Sequence, residues 1–350
     1  MRRTVSDRIQ FFVARATSWL PASAQIFLSG QPKRIVDGQQ FDPQAQLLGR
    51  LRPRKPGYGL IRPTVEAGRR RYRHDTNTFR GPVTTVGTVR ELELPGPDGP
   101  LRARHYLPPT LPARDITLYL HGGGWVIGDL DTHDEPCRIL CREAGIHVLS
   151  LEYRLAPEHK FPAALEDTLA ALTWLRENAA SLGADPARIS IGGDSAGANL
   201  ATVASRIAAD GNKPPAGQLL LYPPTDFKGK RRSHQLFGQE ALLTLADGED
   251  FARCYLEGTG AALDDPRVSP LFANLEKLPP AFVVTAGFDL LRDEGEAYAD
   301  ALAAAGNIVR QHRVTGFGHG FIHMTGVSKT ARRAVQAIAS EWRDLLDTIG

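Results

Sequence analysis

Gly193-Asp194-Ser195-Ala196-Gly197 lies between two stretches of opposite character. Arg188-Ile189-Ser190-Ile191-Gly192 before it reads as a short apolar strand, and Ala196 through Ile207 after it reads as a helix. Strand, tight turn and helix is the setting in which G-x-S-x-G forms an elbow that holds a serine hydroxyl up from the sheet. Side chains at the two flanking positions would collide with neighbouring backbone, which is why both are glycine. The pentapeptide alone recurs by chance. Its strand-to-helix setting makes it specific, and the chain contains only one.

Outward from the elbow, short apolar runs alternate with helical patterns from Leu101 onward. The spacing predicts strands over Leu101–Leu107, Ile116–Leu120, His147–Leu151, Ile189–Gly192, Leu219–Tyr222, Phe282–Ala286 and Val309–Val314. It predicts helices over Pro162–Asn178, Ala196–Ala209, Asp293–Ala305 and Ala331–Thr348. This alternation implies an α/β fold with a mostly parallel sheet covered on both faces. Two regions break the rhythm. Residues 1–95 are rich in Arg, Pro and Gln and suggest helices but no clear strand; Thr225 to about Asp264 is a polar helical insertion. Both are expected to form a helical cap over the C-terminal edge of the sheet, where ligand sites of open α/β sheets lie. For residues 1–95 the alternative is an arm for dimerisation.

Length and composition narrow the function. The 350 residues are 42% hydrophobic and 23% charged, ordinary for a globular chain with a substantial core. A dispersed net charge of +3 gives no track for nucleic acid, and Arg69-Arg70-Arg71-Tyr72-Arg73 reads as a solvated face. Cys137, Cys141 and Cys254 have neither disulfide nor metal spacing; the first two read as buried thiols, which suits a reducing, cytoplasmic location. No apolar run is long enough to span a bilayer. The N-terminus imitates a secretory signal, but Asp7, Arg8 and Arg15 interrupt its apolar stretch, and an amphipathic helix is expected instead.

A serine hydroxyl needs a base to become a nucleophile, and the base needs an acid to orient it. In chain order these are expected as Ser195, Asp289 at the end of the strand Ala281–Ala286, and His319 in the loop Gly316-Phe317-Gly318-His319-Gly320. Asp293 and Glu294 compete as acids but read as capping groups of the following helix. His323 follows His319 at a metal-binding interval, yet the intervening glutamate and a third ligand are lacking, so no metal is expected; His312 lies within a strand. His121-Gly122-Gly123-Gly124-Trp125 follows a strand and can turn backbone N–H groups toward an oxyanion, with Ala196 N–H adding another. The run has no P-loop ending. Asp129, Asp131 and Asp134 fail the EF-hand pattern and read as helix-capping groups.

These segments, with Tyr153-Arg154-Leu155-Ala156-Pro157-Glu158, Asp265-Pro266-Arg267-Val268-Ser269-Pro270 and Asp289-Leu290-Leu291-Arg292-Asp293-Glu294-Gly295, resemble the hormone-sensitive-lipase-like family of α/β-hydrolase esterases over roughly residues 100–325. The resemblance implies the α/β-hydrolase fold, a mostly parallel eight-stranded sheet with helices on both faces and a helical cap. It implies Ser195 as nucleophile, His319 as base and Asp289 as orienting acid. Gly123, Gly124 and Ala196 would form the oxyanion hole, with His121 and Gly122 supporting the loop and Arg267 buried and paired. Ala198 departs from the glycine common at its position in this family.

The expected function is hydrolysis of short- to medium-chain carboxylic esters through an acyl-enzyme, without metal or organic cofactor. Low aromatic content, 7%, and no exposed apolar run give no support to an interfacial lipase. The expected partner is a small-molecule ester, with no nucleic acid, no membrane span and a homodimer as an open possibility. Rival readings are a ligand receptor such as the plant gibberellin receptors that resemble this family without its histidine, a dehydratase on the same pocket, and an amidase or lactonase using the same triad.

Overall fold

A computed structural model describes residues 5–51, 59–239 and 242–349. Four helices open the chain: α1 (Val5–Ala16), α2 (Ala22–Ser29), α3 (Pro43–Leu51) and α4 (Val65–Phe79), with a two-stranded ribbon, β1 (Ile35–Val36) and β2 (Gln39–Gln40), between α2 and α3. An eight-stranded sheet follows. Its strands are β3 (Thr88–Gly96), β4 (Gly99–Leu107), β5 (Ile116–Leu120), β6 (His147–Glu152), β7 (Ile189–Asp194), β8 (Gln218–Leu221), β9 (Ala281–Phe288) and β10 (Val309–Gly318). They lie in the order β10-β9-β8-β7-β5-β6-β4-β3. Pairing is parallel from β10 across to β6, and antiparallel where β4 meets β6 and β3 meets β4.

The sheet is covered on both faces because its strands alternate side chains between two cores. Ala281 and Val283 of β9 join the core that also holds Leu200 and Val203 of α7 (Ala196–Asp210) and Leu302 of α10 (Arg292–Ala304). Phe282 and Val284 join the other, with Cys137 and Cys141 of α5 (Asp134–Ala144) and Trp342 of α11 (Lys329–Thr348). Both thiols are buried, and burial pushes Cys141 up to about 12. The helix α6 (Ala163–Asn178) covers the first face beside α7.

Each predicted strand and helix of the sheet is present, with ends shifted by up to four residues. Three strands were not foreseen, the short β1 and β2 and, in the main sheet, residues 88–96 as β3, where helices were expected. Only Leu94 of β3 is buried, with Val89 and Leu92 half-buried, so this outer antiparallel strand carries a short apolar pattern. The insertion after β8 contains two helices, α8 (Arg232–Phe237) and α9 (Leu245–Leu256). Asp134 opens α5, but no side chain caps that helix. Asp129, Asp131 and Asp134 instead receive Arg73, Arg104 and Arg138. Arg267 is paired with Asp265 as expected but is half exposed rather than buried, its guanidinium lying over the buried Phe161 ring.

Candidate active site

The chain leaves β5 for β6 on one side and returns through α6 to β7 on the other, so the loops after β5 and β7 emerge side by side. Leu120 pairs with Gly193 at this point. A Cβ at Gly193 or at Gly197 would overlap the Leu120 carbonyl oxygen, so both glycines are required by the close approach of the β5 backbone. Between them Ser195 adopts φ 52° and ψ −121°, a sparsely populated conformation for a residue with a side chain. It is held there by its own N–H donating to Leu221 O (2.8 Å) and by its carbonyl accepting Asn199 N–H (3.0 Å) as α7 begins.

Two later strand ends complete the arrangement. Asp289 follows β9, and His319 follows β10. His319 Nε2 lies 2.9 Å from Ser195 Oγ, and His319 Nδ1 lies 2.7 Å from Asp289 Oδ2. The other Asp289 oxygen accepts Leu291 N–H at 3.0 Å, and the carboxylate is fully buried. Tyr222 packs on the His319 ring with centroids 4.6 Å apart. The three residues expected to act together thus stand in series, hydroxyl to imidazole to carboxylate.

The competing acids are engaged elsewhere. Asp293 accepts from Ser233 N–H and Arg292 Nε, and so does not cap α10 as expected. Glu294 does not cap it either. Its buried carboxylate accepts Thr225 N–H at 2.8 Å and faces His234 at 3.3 Å, fixing the start of the 225–264 insertion; burial pushes its carboxyl up. His312 pairs with Glu341 on α11.

The glycine loop after β5 stands beside Ser195. Gly123 has φ 124° and Gly124 φ 60°, and both line the same cavity as Ser195 and His319. Ala196 is the first residue of α7, so its N–H has no carbonyl one turn earlier to bond. Gly122 N–H points away, toward Asp194 Oδ1 at 3.0 Å. His121 stacks on Tyr153 with centroids 4.3 Å apart, its Nδ1 meets Gly122 O at 2.9 Å, and Tyr153 Oη donates to His121 O at 2.6 Å. Burial and the neighbouring His133 hold His121 down at about 4, which keeps the ring neutral and its Nδ1–H a donor to that carbonyl.

A family described by its alpha/beta hydrolase fold matches residues 117–323. Carboxylic ester hydrolase LipN of Mycobacterium tuberculosis is 44% identical over 330 residues, covering 92% of this chain and 88% of its own. The chain belongs to the hormone-sensitive-lipase-like family of α/β-hydrolases. Ethyl acetate hydrolase of Pseudomonas putida is 37% identical, over 76% of this chain and 86% of its own. An esterase of Pyrobaculum calidifontis superposes with a TM-score of 0.76 at 37% identity, covering 80% of this chain and 93% of its own.

Beneath the elbow, this α/β-hydrolase has a cluster that the sequence reading did not assemble. His133 Nε2 lies 3.2 Å from Asp194 Oδ1, which also accepts Tyr119 Oη–H at 3.0 Å. Although burial opposes the charge, His133, His323 and Tyr119 hold the Asp194 carboxyl well below its ordinary range. His323 belongs to this cluster and not to a pair with His319; its Nε2 lies 2.8 Å from Tyr72 Oη on α4. Ligand atoms of His133, Asp194 and His323 come within 4.8 Å of one another, a three-residue grouping around His323 that was not expected from the sequence. His133, the residue before α5, sits in no sequence pattern that would have placed it under the elbow.

The cavity above Ser195 has a volume of about 1270 Å³. Its floor is Gly123, Gly124, Ser195 and His319; its walls include Ile9, Leu48, Leu60 and Tyr72 from the N-terminal segment and Phe227, Leu243 and Phe251 from the 225–264 insertion. Arg69 of α4 ties that segment to the glycine loop, donating to Val126 O (2.8 Å) and Ala156 O (2.9 Å) and pairing with Glu158.

Proposed function

We propose that the chain is a serine carboxylesterase, with Ser195 as nucleophile, His319 as general base and acid, and Asp289 as the group that orients it. The series Ser195 Oγ, His319 Nε2, His319 Nδ1, Asp289 Oδ2, with links of 2.9 and 2.7 Å, carries the reading. The esterase names of the relatives support it. His319 takes the proton from Ser195 as Oγ attacks the ester carbonyl, while the Asp289 carboxylate fixes the tautomer with Nε2 free to accept. The carbonyl oxygen becomes an oxyanion received by the N–H groups of Gly123, Gly124 and Ala196, the last at the positive end of α7. His319 then passes its proton to the leaving alcohol, and the same groups deacylate the serine with water.

The N-terminal helices and the 225–264 insertion act together as a cap that walls the cavity. At about 1270 Å³ it exceeds the common range of small-ligand pockets, roughly 300–1,000 Å³, and leaves room for acyl chains beyond acetate. Short- to medium-chain esters are the expected substrates. The test is turnover of p-nitrophenyl esters from acetate to dodecanoate by the wild type and by Ser195→Ala. The variant should lose about four to six orders of magnitude in kcat on every ester. A variant that keeps turnover, or a wild type inactive on the whole panel, contradicts the assignment.

A further inference from the structure

Seven of the fourteen large apolar side chains left exposed among the described residues fall within residues 9–28: Ile9, Phe12, Val13, Trp19, Leu20, Phe27 and Leu28. No exposed apolar run was expected from the sequence, and the structure corrects that. Ile9, Phe12 and Val13 share one face of α1 at helical spacing, while Phe11 and Ala14 on the other pack against Val327. Phe27, with its side chain largely in solvent (83% exposed), and Leu28 lie at the end of α2. Ile9 and Val13 also line the cavity that holds Ser195, so this apolar face continues into the site.

Charge is concentrated on the same segment. Residues 1–36 contain six basic side chains and one acidic, whereas the remaining 314 residues contain 36 basic and 38 acidic. Arg15 donates to Gly326 O and Arg34 lies over the Phe41 and Phe288 rings, and Arg8 and Lys33 are the exposed cations among the described residues of this segment. We propose that α1, the turn after it and α2 dock this protein on an anionic lipid surface, with the exposed apolar side chains at the level of the acyl chains and the cavity opening toward the bilayer. An apolar helix face flanked by cations is the composition that binds such an interface, hydrophobic burial and attraction to anionic headgroups acting together. A second copy of the chain fits this face less well, because a two-fold contact would bring two basic segments together. The supply of apolar esters from the bilayer to Ser195 rests on the esterase reading; the docking does not.

The experiment is co-sedimentation of the full chain with vesicles of phosphatidylcholine alone and of phosphatidylcholine with phosphatidylglycerol in equal parts. Turnover of p-nitrophenyl butyrate is followed in vesicle-free buffer. Expected is binding to the anionic vesicles about tenfold above the zwitterionic ones, a blue shift of tryptophan emission, and loss of most binding at about 0.5 M salt. Combined Trp19→Ser, Phe27→Ser and Leu28→Ser should lower binding about tenfold or more, and Arg8→Glu with Lys33→Glu should abolish the preference for anionic vesicles, with butyrate turnover unchanged in both. No binding by the wild type at low salt, or binding unchanged in the first variant, overturns the proposal. So does a wild-type dimer that the first variant converts to a monomer without loss of vesicle binding. An inactive wild type that binds vesicles as described would sink the esterase reading alone.

Discussion

In the proposed mechanism Asp289 acts through one hydrogen bond. With Oδ2 accepting His319 Nδ1–H at 2.7 Å, the imidazole is held with Nε2 unprotonated toward Ser195. Asn at this position can present an N–H to the ring and invert the tautomer, leaving the geometry intact but the base disabled. Asp289→Asn should therefore lower kcat on p-nitrophenyl butyrate by about 10⁴ with KM nearly unchanged. A loss below about tenfold would mean that Asp289 does not orient the base. Ser195 is held differently, by backbone: its φ of 52° persists because Leu221, Leu120 and the start of α7 fix the residues around it.

The elements that position these residues were legible where their signal is local. The β7 run Ile189-Ser190-Ile191, the two glycines and the apolar face of α7 all point to the same turn, and local propensity agrees with tertiary need. Asp289 and His319 were legible because each follows an apolar strand. The Asp194–His133–His323–Tyr72 cluster was not, since its members come from four separate segments and their pairing depends on how α4 and α5 pack. β3 was missed because its alternation, Glu91-Leu92-Glu93-Leu94, is short and runs straight into Pro95 and Gly96, and only Leu94 of it is buried. The path of α4 was equally hidden: nothing in the Arg69-Arg70-Arg71 run marks Arg69 as the one that reaches the glycine loop. Its guanidinium serves two main-chain carbonyls, so Arg69→Ala should cost about 2 kcal/mol in urea unfolding and loosen the loop that carries Gly123. An unchanged unfolding midpoint and unchanged kcat would show that α4 and the loop are not coupled.

Four buried histidines set how the whole molecule responds to acid. Burial, reinforced by neighbouring cations or rings, holds His105 and His121 at about 4 and His323 at about 3, and burial lowers His147 as well. In the unfolded chain each would titrate near 6.5. Between those values the unfolded state binds protons that the folded state refuses, so stability is full above about pH 6.5 and falls as pH drops toward 4. The slope is at most about 1.4 kcal/mol per pH unit for each histidine. The depressed Asp194 carboxyl works in the same sense but only below its unfolded value near 3.8, outside this window. The melting temperature should fall steadily from pH 7 to 4.5, and His105→Gln, distant from Ser195, should make that fall shallower. A melting temperature flat over this range contradicts the assignment of neutral buried rings.

The covalent step proposed on Ser195 is open to direct observation. Protein mixed with excess p-nitrophenyl butyrate and quenched in acid within the first turnover should show, by mass spectrometry, one added butyryl group on the peptide containing Ser195, and none in Ser195→Ala. An acyl group on another peptide, or full hydrolysis by wild type with no acylated protein at any quench time and undiminished rate in Ser195→Ala, would contradict it.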